Sequence, residues 1–555
     1  MTKSQSTASA DGTKPTVVII GGGLAGLSAS VELARLGCAV TIVERNAHLG
    51  GKMNVLEEQG FSFDMGPTIL TLPQVLRGII ARTGRDPADY VDLVRLDPQW
   101  RCMYEDGTVL DLLEDEVAMA SALDRQFPQH RPGAGWRRFL AYSRRMYRLS
   151  ERVFFYRDLG GMTDLMRKPP TREPGLLGDV LAMRVHSTVG ATAHGMIDEP
   201  HVQQLSEHFL QYVGSSPFLA PAILSLIASA QTDHGCWYAM GGTRQVARAL
   251  TRLGSELGVV SLTGVCVASI LQKGGERDGR ARGVRLDDGR TIEADVVVSN
   301  CDVQRTHRDL LASPAARREQ ASIAGKYEPA CSGVVLYLGL DRQYEHLLHH
   351  NFLFSGDSKR EFDDIYRKGV PAVDPTIYLA VPSRTDANQA PRGGEALYAL
   401  IHTPYLRDGQ QWEGAGGLLE RYRPTIIEKL KRMGMEDIER HIVVERHLTP
   451  ASIERMYNAE GGAIYGLASH GRFRGGFKPR NRSRALKGLY LAGGSVNPGP
   501  GVPMVLMSGV TAARSIAEDH GIDAGSVDEA LRSGTAEYVH ESGAEDALVG
   551  SGAAG

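Results

Sequence analysis

Cysteine, aromatic residues and net charge are all scarce in this chain, and apolar runs are short. The six cysteines (Cys38, Cys102, Cys236, Cys266, Cys301 and Cys331) are scattered, and no two stand at CxxC spacing. They read as mostly buried thiols in a reducing compartment. Net charge is −3, so no global field selects nucleic acid or another polyanion. No run approaches the roughly 20 apolar residues that span a bilayer. The longest, PFLAPAILSLIASA at 217–230, is suited to cover a core or dip into an interface. The opening MTKSQSTASADGTKP has no apolar h-region, which argues against a secretory signal. Gly-x-Ser-x-Gly, Walker A and HExxH motifs are missing, so hydrolase and NTPase chemistry lack an anchor. His346, His349 and His350 in EHLLHH have a spacing a helix could use for a metal, but no carboxylate or cysteine cluster accompanies them, and no metal is expected.

What is present begins at residue 16. The 555 residues suggest two to four domains, and 42% hydrophobic with 23% charged content is normal for a folded protein. TVVII at 16–20 is a β-branched run suited to a buried parallel strand. Gly21, Gly23 and Gly26 follow as GxGxxG. A helical pattern then runs to Gly37, and a second strand, AVTIVE, ends in Glu44. This order of elements is the βαβ dinucleotide unit. Gly21 permits the turn, Gly23 lets a pyrophosphate approach the backbone, and Gly26 lets helix and strand pack closely. Leu24 and Ala25 open the helix, whose free N–H groups and positive dipole end suit phosphates. Glu44 is placed to accept hydrogen bonds from a ribose.

The segment after Glu44 separates FAD from NAD. Gly50, Gly51 and Lys52 follow the acid closely, and DMGPT stands at 64–68. An NAD domain would run into another helix here. The segment resembles the FAD-containing amine oxidase and carotenoid desaturase superfamily. That resemblance implies FAD, lined by Arg45, Gly51, Lys52, Gly66, Pro67, Thr68 and Val267. In residue terms Lys52 is a cation near a phosphate-binding helix.

A second glycine-rich turn lies far along the chain. GLYLAGG at 488–494 reads as a short strand ending in Gly493 and Gly494. VPMVLMSGVTAARSIAE at 502–518 reads as a helix with Pro503 in its first turn. Val502, Pro503 and Met504 would join the site, and the helix dipole would favour the negative charge of a reduced flavin. Many relatives have an aspartate after the strand, whereas this chain has Gly494–Ser495 and then VNPGPGVPM. That stretch resembles the HPGxGxP signature of bacterial-type phytoene desaturases, with Asn497 where many have histidine. Segments at 235–259, 296–311, 334–354 and 477–494 resemble the same family, so the likeness runs from about residue 16 to 518.

The resemblance implies a Rossmann-like FAD-binding α/β domain, with an inserted mixed-sheet substrate domain and a helical subdomain able to contact a membrane. The expected segments are a disordered 1–15, FAD-binding parts at 16–110, 236–312 and 456–520, a helical part at 111–235, a substrate sheet at 313–455 and a flexible tail at 521–555. From 131 to 173 there are eleven Lys/Arg against four Asp/Glu. Leu140, Met146, Leu149, Phe154, Phe155, Leu165 and Met166 are interleaved with Arg137, Arg138, Arg144, Arg145, Arg148, Arg152, Arg157, Arg167 and Lys168. Such a helical region is either a solvated face beside an ordinary core or a surface for an anionic membrane. The expected location is cytoplasmic, peripheral to the inner membrane.

The implied activity is desaturation of a hydrophobic polyene such as phytoene, diapophytoene or a related carotene. A hydride leaves an allylic C–H for flavin N5, and a proton leaves the next carbon. Oxygen or a quinone would reoxidise the flavin, and no residue is singled out as catalytic acid or base. The GVPM ending is closer to diapophytoene-type enzymes and to relatives that oxidise terminal methyl groups. The alternatives are a polyene isomerase, an amine oxidase, or a prenyl-binding protein like the GDP-dissociation inhibitors. An amine oxidase would need an aromatic cage, and with aromatics at 6% none is evident. The intact GxGxxG, Glu44 and Gly-Gly-Lys argue against a non-flavin binder.

Overall fold

The structure is a computed structural model. It describes residues 14–161, 164, 183–275, 279–471, 475–527 and 529. The expectations for residues 1–13, Leu165, Met166, Arg167, Lys168 and the tail beyond 529 lie outside the described residues.

Three remote pieces of chain build one parallel sheet. Its five strands run Leu489–Leu491, Val296–Ser299, Thr16–Ile20, Ala39–Glu44 and Val260–Thr263. The apolar runs of the inner strands follow from burial on both faces. Helix Leu24–Arg35 crosses over one face between the first two strands of the chain and packs against the C-terminal helix Val502–His520. The contact is close because Gly509 has no side chain. A Cβ there would stand 2.0 Å from Ser28 Oγ and 2.2 Å from the Ala25 carbonyl oxygen. Ser28 Oγ instead donates to the Leu506 carbonyl at 2.9 Å. A three-stranded antiparallel sheet, Val267–Lys273, Arg280–Leu286 and Thr291–Glu293, stands beside the parallel one.

The second body is a seven-stranded sheet. Its order is Ile442–Leu448, Ser332–Leu340, Glu395–Thr403, Ile377–Ala380, His350–Leu353, Trp100–Met103 and Val109–Leu112. Its strands between 332 and 448 fall in the segment expected to carry a substrate sheet. The last two strands do not respect the expected boundary near 110. The 100–112 hairpin pairs with His350–Leu353 and extends this sheet, because the register Asn351 to Arg101 gives its inner edge a partner. Alternation along the strands separates two faces. Val334, Leu336, Leu338 and Leu340 pack toward helix Leu418–Arg432, whereas Val335 and Tyr337 point the other way.

Residues 116–232 are largely helical where described. Helix Gly133–Val153 sorts the basic and apolar residues that are interleaved in the sequence. Leu140, Met146 and Leu149, with Phe154 and Phe155 just beyond, are all buried in core. Arg137, Arg138, Arg148 and Arg152 are left on the outside without those apolar neighbours, and Arg144 is ion-paired with Glu116 and Asp233. The helix thus turns a charged face outward and its apolar residues into core. Residues 217–230 are mostly buried and cover core. No helix of the described residues is long and apolar enough to cross a membrane.

Candidate active site

The glycine turn and the strand ends surround one large cavity. Gly21 takes φ +93°, a conformation glycine adopts without strain. The Gly22 and Asn46 N–H groups each donate to the Glu44 carboxylate at 2.8 Å, so the turn fixes the acid at the cavity wall. A Cβ on Gly26 would stand 2.2 Å from the Gly21 carbonyl oxygen. That is the close helix–strand packing expected of it, and Gly26 itself is off the wall.

The Gly-Gly-Lys turn folds over this corner. Gly50 N–H donates to Gly22 O at 2.8 Å, and a Cβ on Gly51 would stand 3.1 Å from Gly23 Cα. Lys52, read from the sequence as a cation near a phosphate-binding helix, is tied to backbone. Its ammonium is buried and donates to the Ala463 and Ile464 carbonyls at 3.2 and 2.6 Å, latching the loop to a distant segment. Burial pushes its pKa down to about 8, against the pull of Asp302. Arg45 donates to the Arg455 carbonyl at 3.1 Å.

Gly21, Gly23, Leu24, Ala25, Glu44, Arg45, Gly51, Lys52, Gly66, Pro67, Thr68, Val267, Gly493, Gly494 and Val502 all line the same cavity. Pro503 is buried in the first turn of its helix, and neither it nor Met504 reaches the wall. Asn497 is also off the wall, donating to the Arg157 carbonyl at 2.6 Å.

Sequence reasoning missed Asn300. Its Oδ1 accepts from Gly26 N–H at 3.1 Å and its Nδ2 donates to the Ala492 carbonyl at 3.0 Å. One side chain thus ties the first glycine turn to the last strand. Also missed was the tyrosine content of the wall. Tyr212, Tyr378, Tyr398, Tyr457 and Tyr465 line the cavity, and the Tyr378 and Tyr398 rings lie 6.0 Å apart. Five tyrosines thus share one wall, although no aromatic cage was evident in the sequence. The three histidines of EHLLHH are not on a helix. His350 begins a strand, His349 is hydrogen-bonded to Thr385 Oγ1 at 2.6 Å, and burial pushes its pKa down to about 3. Among the described residues no group of three His, Cys, Asp or Glu side chains is placed to hold a metal.

One buried cation beside the second glycine turn gives a pH prediction. Lys478 lies against Gly499 and donates to the Ala468 carbonyl and Ser469 Oγ at 2.9 and 2.8 Å. Desolvation pushes its pKa from 10.5 down to about 7. Between those values the unfolded chain binds more protons, so this group makes stability rise with pH, and its penalty is fully present below about pH 7. Denaturant titrations of wild type and Lys478→Met from pH 7 to 10 are expected to show that rise flattened in the variant. Parallel slopes would contradict it.

Residues 24–517 match the family described as flavin containing amine oxidoreductase. The chain belongs to this family. Two curated relatives match over almost their whole lengths. A 4,4'-diapolycopene oxygenase of Methylomonas sp is 39% identical over 506 residues, covering 91% of this chain and 98% of the relative. A 4,4'-diaponeurosporene oxygenase of Staphylococcus haemolyticus is 38% identical over 500 residues, covering 90% and 96%. Among solved structures, a putrescine oxidase variant redesigned in cofactor binding has a TM-score of 0.58 at 14% identity, covering 91% of this chain and 99% of its own.

The flavin family's cofactor fits the residues present. Helices Leu24–Arg35 and Val502–His520 both begin at the cavity wall. Neither has an N-cap side chain or an acid in its first turn, so the first-turn N–H groups other than Gly26, which Asn300 holds, and both dipoles remain for a ligand's negative charge. The protein is an FAD-dependent oxidoreductase.

Proposed function

We propose that this flavin oxidoreductase oxidises the terminal allylic methyl group of a linear carotenoid. One observation carries the reading. The wall that holds the dinucleotide turns continues without a break to Val335, Leu400, Leu448, Tyr378 and Tyr398 of the seven-stranded sheet. A ligand on the glycine turns and a greasy chain against the sheet would share one space. Burial of the polyene there would gain roughly 25 cal/mol per Å² of apolar surface.

In this reading Gly21, Gly23, Leu24, Ala25 and Glu44 hold the nucleotide half of FAD, and Arg45, Val267 and the Gly51–Lys52 loop cover it. Gly66, Pro67, Thr68, Gly493, Gly494 and Val502 flank the ring. FAD, when bound, supplies the hydride acceptor. The chain's own work is to place an allylic C–H there and to keep water out.

Terminal oxidation is preferred over interior desaturation because the two full-length relatives are named oxygenases. Desaturation begins with the same loss of hydride and is the second reading, supported by the likeness of VNPGPGVPM to the desaturase signature. Expression in hosts that make linear C30 or C40 carotene hydrocarbons separates the two. The expected product gains oxygen by mass spectrometry. A product that only loses hydrogen establishes desaturation instead, and unchanged carotenes in every host would sink both.

A further inference from the structure

The cavity wall near the sheet is largely apolar and aromatic, and one hydrogen-bonded chain of side chains runs into it from the sheet. Thr68 Oγ1 meets Tyr378 OH, and Tyr378 OH meets His350 Nδ1 at 2.9 Å. The three residues are 5%, 6% and 1% exposed, and Thr68 and Tyr378 line the cavity. Tyr378 is held by ring stacking on Phe352, with centroids 4.9 Å apart. The chain is therefore rigid, and its direction can be worked out.

His350 is neutral, because burial holds it well below the usual histidine range. Its Nε2 is buried and has no partner among the described residues. If Nε2 carried the proton, a buried N–H would be orphaned, which is rarer than an under-satisfied acceptor. The proton is therefore assigned to Nδ1, which donates to Tyr378. Tyr378 then donates to Thr68, and the Thr68 hydroxyl proton is left for the cavity. A second donor stands on the same wall. Gln211 lines the cavity, and its buried Nε2 has no acceptor among the described residues.

A pure hydrocarbon offers neither group a partner. Unsatisfied buried donors are costly, and a site built to bond a substrate oxygen rejects the analogue that lacks it. We propose that Thr68, oriented through Tyr378 by His350, donates a hydrogen bond to an oxygen atom at the end of the polyene, so that this site favours ends already bearing a hydroxyl or carbonyl over the parent methyl end. The inference rests on the carotenoid reading above and deepens it: oxidation of the methyl group delivers an oxygen-bearing end, and this contact then holds that end for further oxidation. Thr68 is the group that touches the oxygen, and Tyr378 and His350 are positioning residues.

The experiment compares purified FAD-loaded wild type, Thr68→Val, Thr68→Ser and Tyr378→Phe on a linear polyene alcohol and its parent hydrocarbon, in the same detergent. The ratio of kcat/KM on the alcohol to that on the hydrocarbon is expected to fall about tenfold in Thr68→Val and Tyr378→Phe and to be retained in Thr68→Ser. A second readout needs no turnover. A bound polyene aldehyde should show a red-shifted visible band in wild type and Thr68→Ser, and lose the shift in the other two, because a donor on a conjugated carbonyl lowers its excitation energy. Equal losses on alcohol and hydrocarbon, or an unmoved aldehyde band, would overturn the proposal. So would loss of FAD from Thr68→Val alone, which would place the hydroxyl on the cofactor. Failure of the carotenoid reading looks different, since wild type would then turn over and bind neither polyene.

Discussion

Gly509→Val is expected to give a protein that is colourless and unstable. The variant's Cβ would fall 2.0 Å from Ser28 Oγ and 2.2 Å from the Ala25 carbonyl oxygen. A side-chain oxygen can rotate aside, but a helix carbonyl cannot. Helices Leu24–Arg35 and Val502–His520 would have to part, and both begin at the cavity wall. The cost should exceed the roughly 1–3 kcal/mol usual for side-chain overpacking, because backbone must move. Separation would also withdraw one helix dipole from the ligand. The ratio of visible flavin absorbance to protein absorbance, together with a thermal melt, checks it. A variant with full flavin content and the melting temperature of wild type would refute the account.

The second large effect is expected from Asn300→Leu. Leucine has a similar bulk, so the change mainly removes two hydrogen bonds, those with Gly26 N–H and the Ala492 carbonyl. Each buried backbone group left unpaired costs about 1–3 kcal/mol, giving roughly 2–6 kcal/mol in all. The damage falls where the first glycine turn meets the last strand, so FAD affinity should fall along with stability. Titration of apoprotein with FAD and urea unfolding measure the two separately. Asn300→Asp is the informative companion. It keeps an acceptor for Gly26 but loses the donor to Ala492, and is expected to lie between wild type and Asn300→Leu in stability. Stability within about 0.5 kcal/mol of wild type in Asn300→Leu would count against the role given to this residue.

How legible all this was depends on how local each feature is. The βαβ unit was readable because its turn, helix, strands and acid fall within 29 residues in a fixed order, and the chemistry of each glycine follows from its position. Asn300 was not, because its partners are 274 and 192 residues away. The one clue was that it follows VVVS, at the C-terminal end of a buried strand, where open parallel sheets place ligand-binding groups. The carbonyls that hold Lys52 were not legible either, since they lie 411 and 412 residues on. The tyrosines could have been suspected from strand periodicity. Tyr378 and Tyr398 sit on neighbouring strands with Tyr378 opposite Leu400 and Ala380 opposite Tyr398, so their side chains share a face. A low overall aromatic content says nothing about where five tyrosines come together, because their positions in the chain run from 212 to 465. The hairpin at 100–112 escaped because nothing in a short strand says which of two sheets it will join.

The strand order of the parallel sheet has a consequence for biosynthesis. Thr16–Ile20 is complete almost at once, but the strand Val296–Ser299 beside it lies some 280 residues further along, and Leu489–Leu491 is the last to be added. A ribosome emits residues at about 5–20 per second. The nascent N-terminal unit must therefore wait, with one flank of its central strand unpaired, for much of translation. A chain cut before Leu489 would lack the edge strand and the final glycine turn of the cavity wall, and is expected to take no colour.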